Sequence, residues 1–375
     1  MVHRNIQIIM EFPTFSQLRK SAKNIDPQTT IAKIVVLGDC ATQHIAKSIE
    51  GYSFYVNYPL RVIDTDYNQI TAQVFDANSD LYREAPKYVL VFMCSEMLKS
   101  AFDTFPNKKG FADYCYKNIV NIWDTICTKT NSVILQTTFI ENDDAVFGNY
   151  ALKTKESFLY QVKKLNFLLC EGAQENKGVY LVDINKIASN IGYSNLHDSK
   201  MYYMAKLPFK TDSLPIIAKA VLDVVCAVGG RFKKCVITDL DNTLWGGVIG
   251  DDGMSGIEIG DLGSGHAFDD LQHWLKSLRE RGIILAICSK NEEDTAKEPF
   301  LNHPDMVLSL KDISLFVANW KDKASNIRYI QQTLNIGMDS IVFIDDNPFE
   351  RDQVRTSIPE ITVPELPEDP SQYLD

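Results

Sequence analysis

Short apolar runs rich in β-branched residues recur through the first half of the chain. Ile34–Leu37, Tyr88–Phe92, Ser132–Leu135 and Val179–Val182 are separated by longer polar or helical stretches. Such runs, apolar without alternation, predict strands covered on both faces, as in a parallel sheet. Tyr116–Cys127 and Phe158–Leu169 carry apolar residues at helical spacing and are long enough for crossover helices. The second half repeats the pattern, with strands predicted at Cys235–Thr238, Ile283–Cys288, Met306–Leu310 and Ser340–Ile344.

Helices fit the gaps. Phe268, Leu271, Leu275 and Leu278 form an apolar stripe that ends at Gly282, a candidate C′ residue, and Ile327, Ile330 and Leu334 form another that ends near Gly337. Asn347, Pro348 and Glu350 read as an N-cap, an N1 proline and a capping acid. Pro359, Pro364, Pro367 and Pro370 predict an extended last segment. Gly229-Gly230 before Arg231 marks a boundary, so the expectation is two three-layer α/β/α domains, residues 1–229 and 230–375.

A length of 375 residues suits two domains of that size. The 38 Lys and Arg against 49 Asp and Glu give a net charge of −11, which repels nucleic acid and anionic membranes. The longest apolar stretch, Leu214–Val228, is interrupted by Lys219 and Asp223 and falls short of a membrane span. No secretory signal pattern opens the chain, and cytoplasmic residence is the expectation. Eight scattered cysteines include no CxxC pair, so most read as small buried side chains. The chain ends soon after its proline-rich segment, which leaves room for a further domain in a longer protein.

The chemistry concentrates where strands end. Val236-Ile237-Thr238 runs into Asp239-Leu240-Asp241-Asn242-Thr243, and Ile341–Ile344 runs into Asp345-Asp346. Ligands of parallel α/β sheets bind at strand carboxyl ends. If these two strands are neighbours, four carboxylates converge and need a cation. An all-oxygen set of this kind suits Mg²⁺, which keeps water and engages a phosphate. Ser289 at a strand end and Lys323 at a helix start add a hydroxyl and an ammonium suited to phosphoryl oxygens.

This order, DxDxT then Ser then Lys then DD, resembles the haloacid dehalogenase (HAD) phosphohydrolase superfamily over residues 231–375. The resemblance implies a HAD-like Rossmannoid domain with Asp239 as the nucleophile forming an aspartyl-phosphate. Asp241 would be the general acid and base, and Thr243, Ser289 and Lys323 would bind phosphate. It implies Mg²⁺ held by Asp239, the Asp241 carbonyl and Asp345, with Asp346 and Asn347 beside them. The glycine- and acid-rich stretch 244–265 would be a minimal cap.

A narrower resemblance rests on Asp239–Val248, Cys288-Ser289-Lys290-Asn291, His303–Met306, Asn319–Lys323, Asp345–Arg351 and Val363–Pro367, which look like the FkbH-like family. That family implies dephosphorylation of 1,3-bisphosphoglycerate and transfer of its glyceryl group to an acyl carrier protein. A thiol would then hold the acyl unit, and Cys288, beside Ser289, is the candidate. An acidic carrier would need a local basic patch, for which Lys233, Lys234, Lys321 and Lys323 are the candidates.

In the first domain, Leu37-Gly38-Asp39-Cys40-Ala41 resembles the Gly-Asp-Ser block of SGNH hydrolases, with Cys40 in place of the serine. Gly148-Asn149 is a candidate oxyanion element, but His197-Asp198 does not reproduce the Asp-x-x-His order that supplies the base. The expectation is therefore a degenerate SGNH/flavodoxin-like domain for binding or carrier docking, with Cys40 an alternative acyl acceptor. Two other readings of the whole chain stand beside glyceryl transfer. One is a plain HAD phosphatase of a small phosphoester, and the other an assembly module with a vestigial metal site.

Overall fold

The computed structural model describes residues 13–23 and 30–374. Two compact units meet in sequence at Gly230 and Arg231. In the first, β1 (Ala32–Gly38), β2 (Leu60–Asp64), β3 (Tyr88–Phe92), β4 (Val133–Thr137) and β5 (Val179–Val182) form a parallel sheet in the order β2-β1-β3-β4-β5. Alternate residues of β1 face opposite ways: Ile34 and Val36 join one core, Val35 and Leu37 the other. Helices Gln43–Tyr55 and Leu214–Val228 cover the first face, and Phe111–Lys129 and Phe158–Glu175 the second. Burial on both faces is why β1 and β3 read as unbroken apolar runs.

In the second unit, β6 (Cys235–Thr238), β7 (Ile284–Ser289), β8 (Leu315–Ala318) and β9 (Ile341–Ile344) form a parallel sheet in the order β8-β7-β6-β9. Helix Ser264–Glu280 packs on one face and helices Lys323–Leu334 and Pro348–Ser357 on the other. Both units are thus three-layer α/β. Arg281 caps Ser264–Glu280 and Gly282 follows at φ +92°, the C′ role expected of it.

Three expectations change. Met306–Leu310 is not a strand: Leu308 is buried, but the Val307 and Leu308 amides donate to the side-chain oxygen of Gln272 rather than to a neighbouring strand. The place in the sheet goes to β8, a four-residue edge strand. The other unanticipated strand, β2, is also an edge, and its exposed Arg61 and Asp64 break the apolar pattern. Glu350 does not cap a helix; it is buried against Lys290 Nζ at 2.5 Å, while Asn347 and Pro348 take their expected cap and N1 places.

Candidate active site

Adjacency of β6 and β9 builds the site. Their register pairs Thr238 with Ile344, and the Asp239 amide donates to the Ile344 carbonyl at 2.9 Å. The residues that follow, Asp239 on one strand and Asp345-Asp346 on the other, leave the sheet side by side. One carboxylate oxygen from each of the three lies within 4.8 Å of the others.

Lys323 opens helix Lys323–Leu334, whose N-cap Asp322 accepts the Ser325 amide. Its side chain is only 3% exposed, and its Nζ donates to Asp239 Oδ2 at 2.6 Å and to Asp345 Oδ2. Burial works to lower the Lys323 pKa, but Asp239 and Asp345 outweigh it and hold the ammonium well above its ordinary value. Burial, reinforced by the Asp239 charge, pushes Asp345 up to about 7, and the same two causes raise Asp346. One ammonium therefore faces three acids in a poorly solvated pocket.

Asp239 Oδ1 has no hydrogen-bond partner although it is buried. An orphaned carboxylate oxygen among three acids, with oxygen donors only, fits a hard divalent cation such as Mg²⁺.

Asp241 is held from three directions. Its Oδ1 accepts from Trp245 Nε1 and the Ile249 amide, each at 3.0 Å, and its Oδ2 accepts from Asn291 Nδ2 at 2.8 Å. The Asn291 Nδ2 also donates to Ser289 Oγ at 3.2 Å, so one amide ties the ends of β6 and β7 together. The sequence assigns no site role to Asn291, Trp245 or the Ile249 amide, although Asn291 and Trp245 lie in the motif neighbourhoods and Ile249 directly follows one. Thr243 is fully buried; its hydroxyl donates to Asp346 Oδ1 at 3.3 Å and accepts the Asp346 amide at 3.1 Å. In this arrangement Thr243 ties the two acidic loops together, whereas the expectation was phosphate binding. Asn347 spends its side chain on the Phe349 amide. The stretch 244–265 carries one short helix, Ile249–Asp252, and a bridge between Gly246 and Glu258. Gly247 turns there at φ +86°, where a Cβ would sit 2.9 Å from Asp252 Oδ2.

Cys288 requires a correction. Side chains alternate along β7, so Cys288 turns into the core opposite to the face of Ile287; it is 0% exposed, with Sγ toward the Lys323 carbonyl at 3.9 Å. Burial pushes its thiol well above the ordinary range. With no exposed surface, Cys288 sits as a packing group in this core, away from any acyl donor or carrier. Lys323, being buried, also leaves the expected basic patch, and Lys233 donates to the Asp339 carbonyl.

Cys40 is fully buried beside Cys94, and although their hydrogen bond works to lower it, burial and Asp39 push the Cys40 thiol up. Gly148 and Asn149 lie exposed in a 3₁₀ turn. His197 does have a carboxylate partner, but it is Glu96, 2.8 Å from Nε2, and not an acid in the sequence neighbourhood of the histidine.

Residues 33–226 match the family described as FkbH, N-terminal domain. The chain belongs to the FkbH family. A solved structure of the N-terminal part of a Bacteroides fragilis protein, containing a phosphatase domain and complexed with Mg, is 42% identical; the alignment covers 96% of each chain at a TM-score of 0.91. This FkbH-family chain also aligns with a Moraxella catarrhalis 3-deoxy-D-manno-octulosonate 8-phosphate phosphatase at 23% identity, covering 38% and 74% of the two chains, TM-score 0.23. A G-D-S-L family lipolytic protein from Desulfitobacterium hafniense aligns at 11% identity, covering 51% and 98%, TM-score 0.32. A search of curated proteins finds no match. Among the described residues no helix is long and apolar enough to cross a membrane.

Proposed function

We propose that this FkbH-family protein is a Mg²⁺-dependent phosphoryl-transfer enzyme that works through an aspartyl-phosphate on Asp239. The observation that carries the reading is the unpartnered Asp239 Oδ1 beside Asp345 and Asp346, with the other Asp239 oxygen held by Lys323. Asp239, Asp345 and Asp346 would hold the metal, and the solved relative of 42% identity complexed with Mg supports Mg²⁺ as that metal. When bound, Mg²⁺ supplies the positive charge that lets an anionic phosphate approach an anionic nucleophile.

One oxygen of Asp239 would ligate the metal and the other would form the bond to phosphorus, with the Lys323 ammonium beside the carboxylate. As the O–P bond forms, the bond to the leaving oxygen breaks, and Asp241 gives that oxygen a proton. Water then attacks the same phosphorus, Asp241 takes its proton, and Asp239 returns as a carboxylate with phosphate released. Trp245, Ile249 and Asn291 keep Asp241 in place for both transfers. Ser289 and the Lys323 ammonium would take phosphoryl oxygens, and Thr243 holds Asp346 in register with β6.

The substrate class proposed is 1,3-bisphosphoglycerate, with an acyl carrier protein as acceptor and the first domain serving to bind or dock. The carrier thiol would displace phosphate from the acyl phosphate, forming C–S as C–O breaks and passing its proton to the released phosphate, and the remaining phosphate ester would be hydrolysed through Asp239. The cap between β6 and helix Ser264–Glu280 carries only one four-residue helix, which favours a bulky acceptor. Cys288 has no part in this scheme.

The test is incubation with Mg²⁺, 1,3-bisphosphoglycerate and a panel of carrier proteins, reading phosphate release and carrier mass. Release with a glyceryl mass on a carrier supports the full proposal. Release without the mass shift leaves a phosphatase of small phosphoesters. An Asp239→Asn protein with full turnover overturns the nucleophile, and no Mg²⁺-dependent release from any phosphoester leaves a vestigial site.

A further inference from the structure

The first domain holds a second convergence of ligating groups, made of different donors. β1 and β3 are neighbours, pairing Gly38 with Phe92, and the Asp39 amide donates to the Phe92 carbonyl at 3.2 Å. Two residues beyond that pair on each strand stand Cys40 and Cys94. Their sulfurs and a carboxylate oxygen of Asp39 lie within 4.8 Å of one another. Both cysteines are buried and neither is in a disulfide.

Two thiols meeting in a core are ordinary packing on their own. The carboxylate is not. Asp39 is turned onto the pair, with its Oδ1 accepting the Cys94 amide at 2.9 Å, and among the described residues it makes no ion pair. A half-buried carboxyl with no cation beside it is costly. The amide contact also fixes the carboxylate, as hydrogen bonds outside a metal's own ligands commonly do.

We propose that Asp39, Cys40 and Cys94 form a thiolate–carboxylate site for a zinc-class divalent cation in the first domain. Two sulfurs and one oxygen suit a borderline-soft ion and disfavour Mg²⁺, so the two domains would select different metals. Each thiol gives up one proton to solvent as its sulfur coordinates, so one Zn²⁺ replaces two protons and no electrons move. Three protein ligands leave a fourth position for water, on the half-exposed Asp39 side.

Co²⁺ and Zn²⁺ added to the reduced, metal-free full chain test the site. Expected with Co²⁺ is a sulfur-to-metal charge-transfer band that saturates at one ion per chain and is displaced by Zn²⁺. Cys40→Ser and Cys94→Ser proteins should lose the band, and Asp39→Asn should weaken Co²⁺ binding by about tenfold or more. Asp239→Asn should keep it, because the carboxylate cluster offers no sulfur. Should a cysteine variant fail to fold, zinc-edge X-ray absorption of the wild-type protein decides alone: two sulfur neighbours at about 2.3 Å are expected. A shell of oxygen and nitrogen only, or no charge-transfer band in the folded reduced protein, overturns the proposal.

Discussion

Lys323 Nζ lies 2.6 Å from Asp239 Oδ2, so a buried ammonium grips one oxygen of the candidate nucleophile and leaves the other unpartnered. The same nitrogen reaches Asp345, so a single cation spans the ends of β6 and β9. That geometry makes Lys323 the counter-charge of the acidic cluster.

Lys323→Met removes the counter-charge and leaves Asp239 and Asp345 buried without it. Breaking a buried pair in this way costs about 3–5 kcal/mol. Urea unfolding in EDTA should show that loss, and saturating Mg²⁺ should restore part of it, because the metal supplies charge to the same carboxylates. Equal losses with and without Mg²⁺ would argue against metal binding by this cluster.

Asp241→Asn should lower kcat for phosphate release by about 10²–10⁴-fold while the protein stays folded. Asn291→Ala removes a hydrogen bond to that carboxylate and to Ser289. Loss of a hydrogen bond to a charged group is worth about 1.5–3 kcal/mol, so a fall of roughly one to two orders of magnitude is expected. Steady-state phosphate release for the two variants checks both values and their order.

Metal-free protein should lose stability as pH rises from about 4 toward about 7. Burial raises Asp345 from an ordinary 3.8 to about 7, and burial likewise raises Asp39 from 3.8 to about 7. Between those values the folded state binds more protons than the unfolded state, so unfolding free energy falls with pH; below about 4 the contribution is complete. Denaturant midpoints across this range, compared with Asp345→Asn and Asp39→Asn, should show each variant with a shallower slope.

Cys288→Ala should retain phosphate release within a few-fold and lose only about 1 kcal/mol of stability, the cost of a small cavity. Intact mass after incubation with 1,3-bisphosphoglycerate should show no acyl adduct that depends on this residue. An adduct present in the wild type and missing in the variant would restore the thiol to the mechanism.

The carboxylate site was legible because each acidic pair directly follows an apolar strand, and parallel sheets bring strand carboxyl ends to one edge. The family resemblance read from those motifs is borne out by the match and by the Bacteroides fragilis relative. Two of the four edge strands, β2 and β8, were not legible. β2 carries exposed polar residues and so lacks the unbroken apolar run of a central strand, whereas β8 is apolar throughout and competes with the nearby Met306–Leu310 for the same place in the sheet. Met306–Leu310 is apolar but for Ser309, yet its Val307 and Leu308 amides are satisfied by Gln272, a partner more than thirty residues away that no local pattern announces.

Local residue order by itself determined the two α/β halves, the central strands and the acidic residues that end them, since apolar periodicity and strand ends are properties of neighbouring positions. Tertiary structure alone decided which face of β7 Cys288 would occupy, that Asn291 would join Asp241 to Ser289, that Glu96 would meet His197, and that Cys40 and Cys94 would lie side by side. Those outcomes depend on which strands pair and in what register. Pairing is settled by burial across the whole sheet rather than by spacing along the chain.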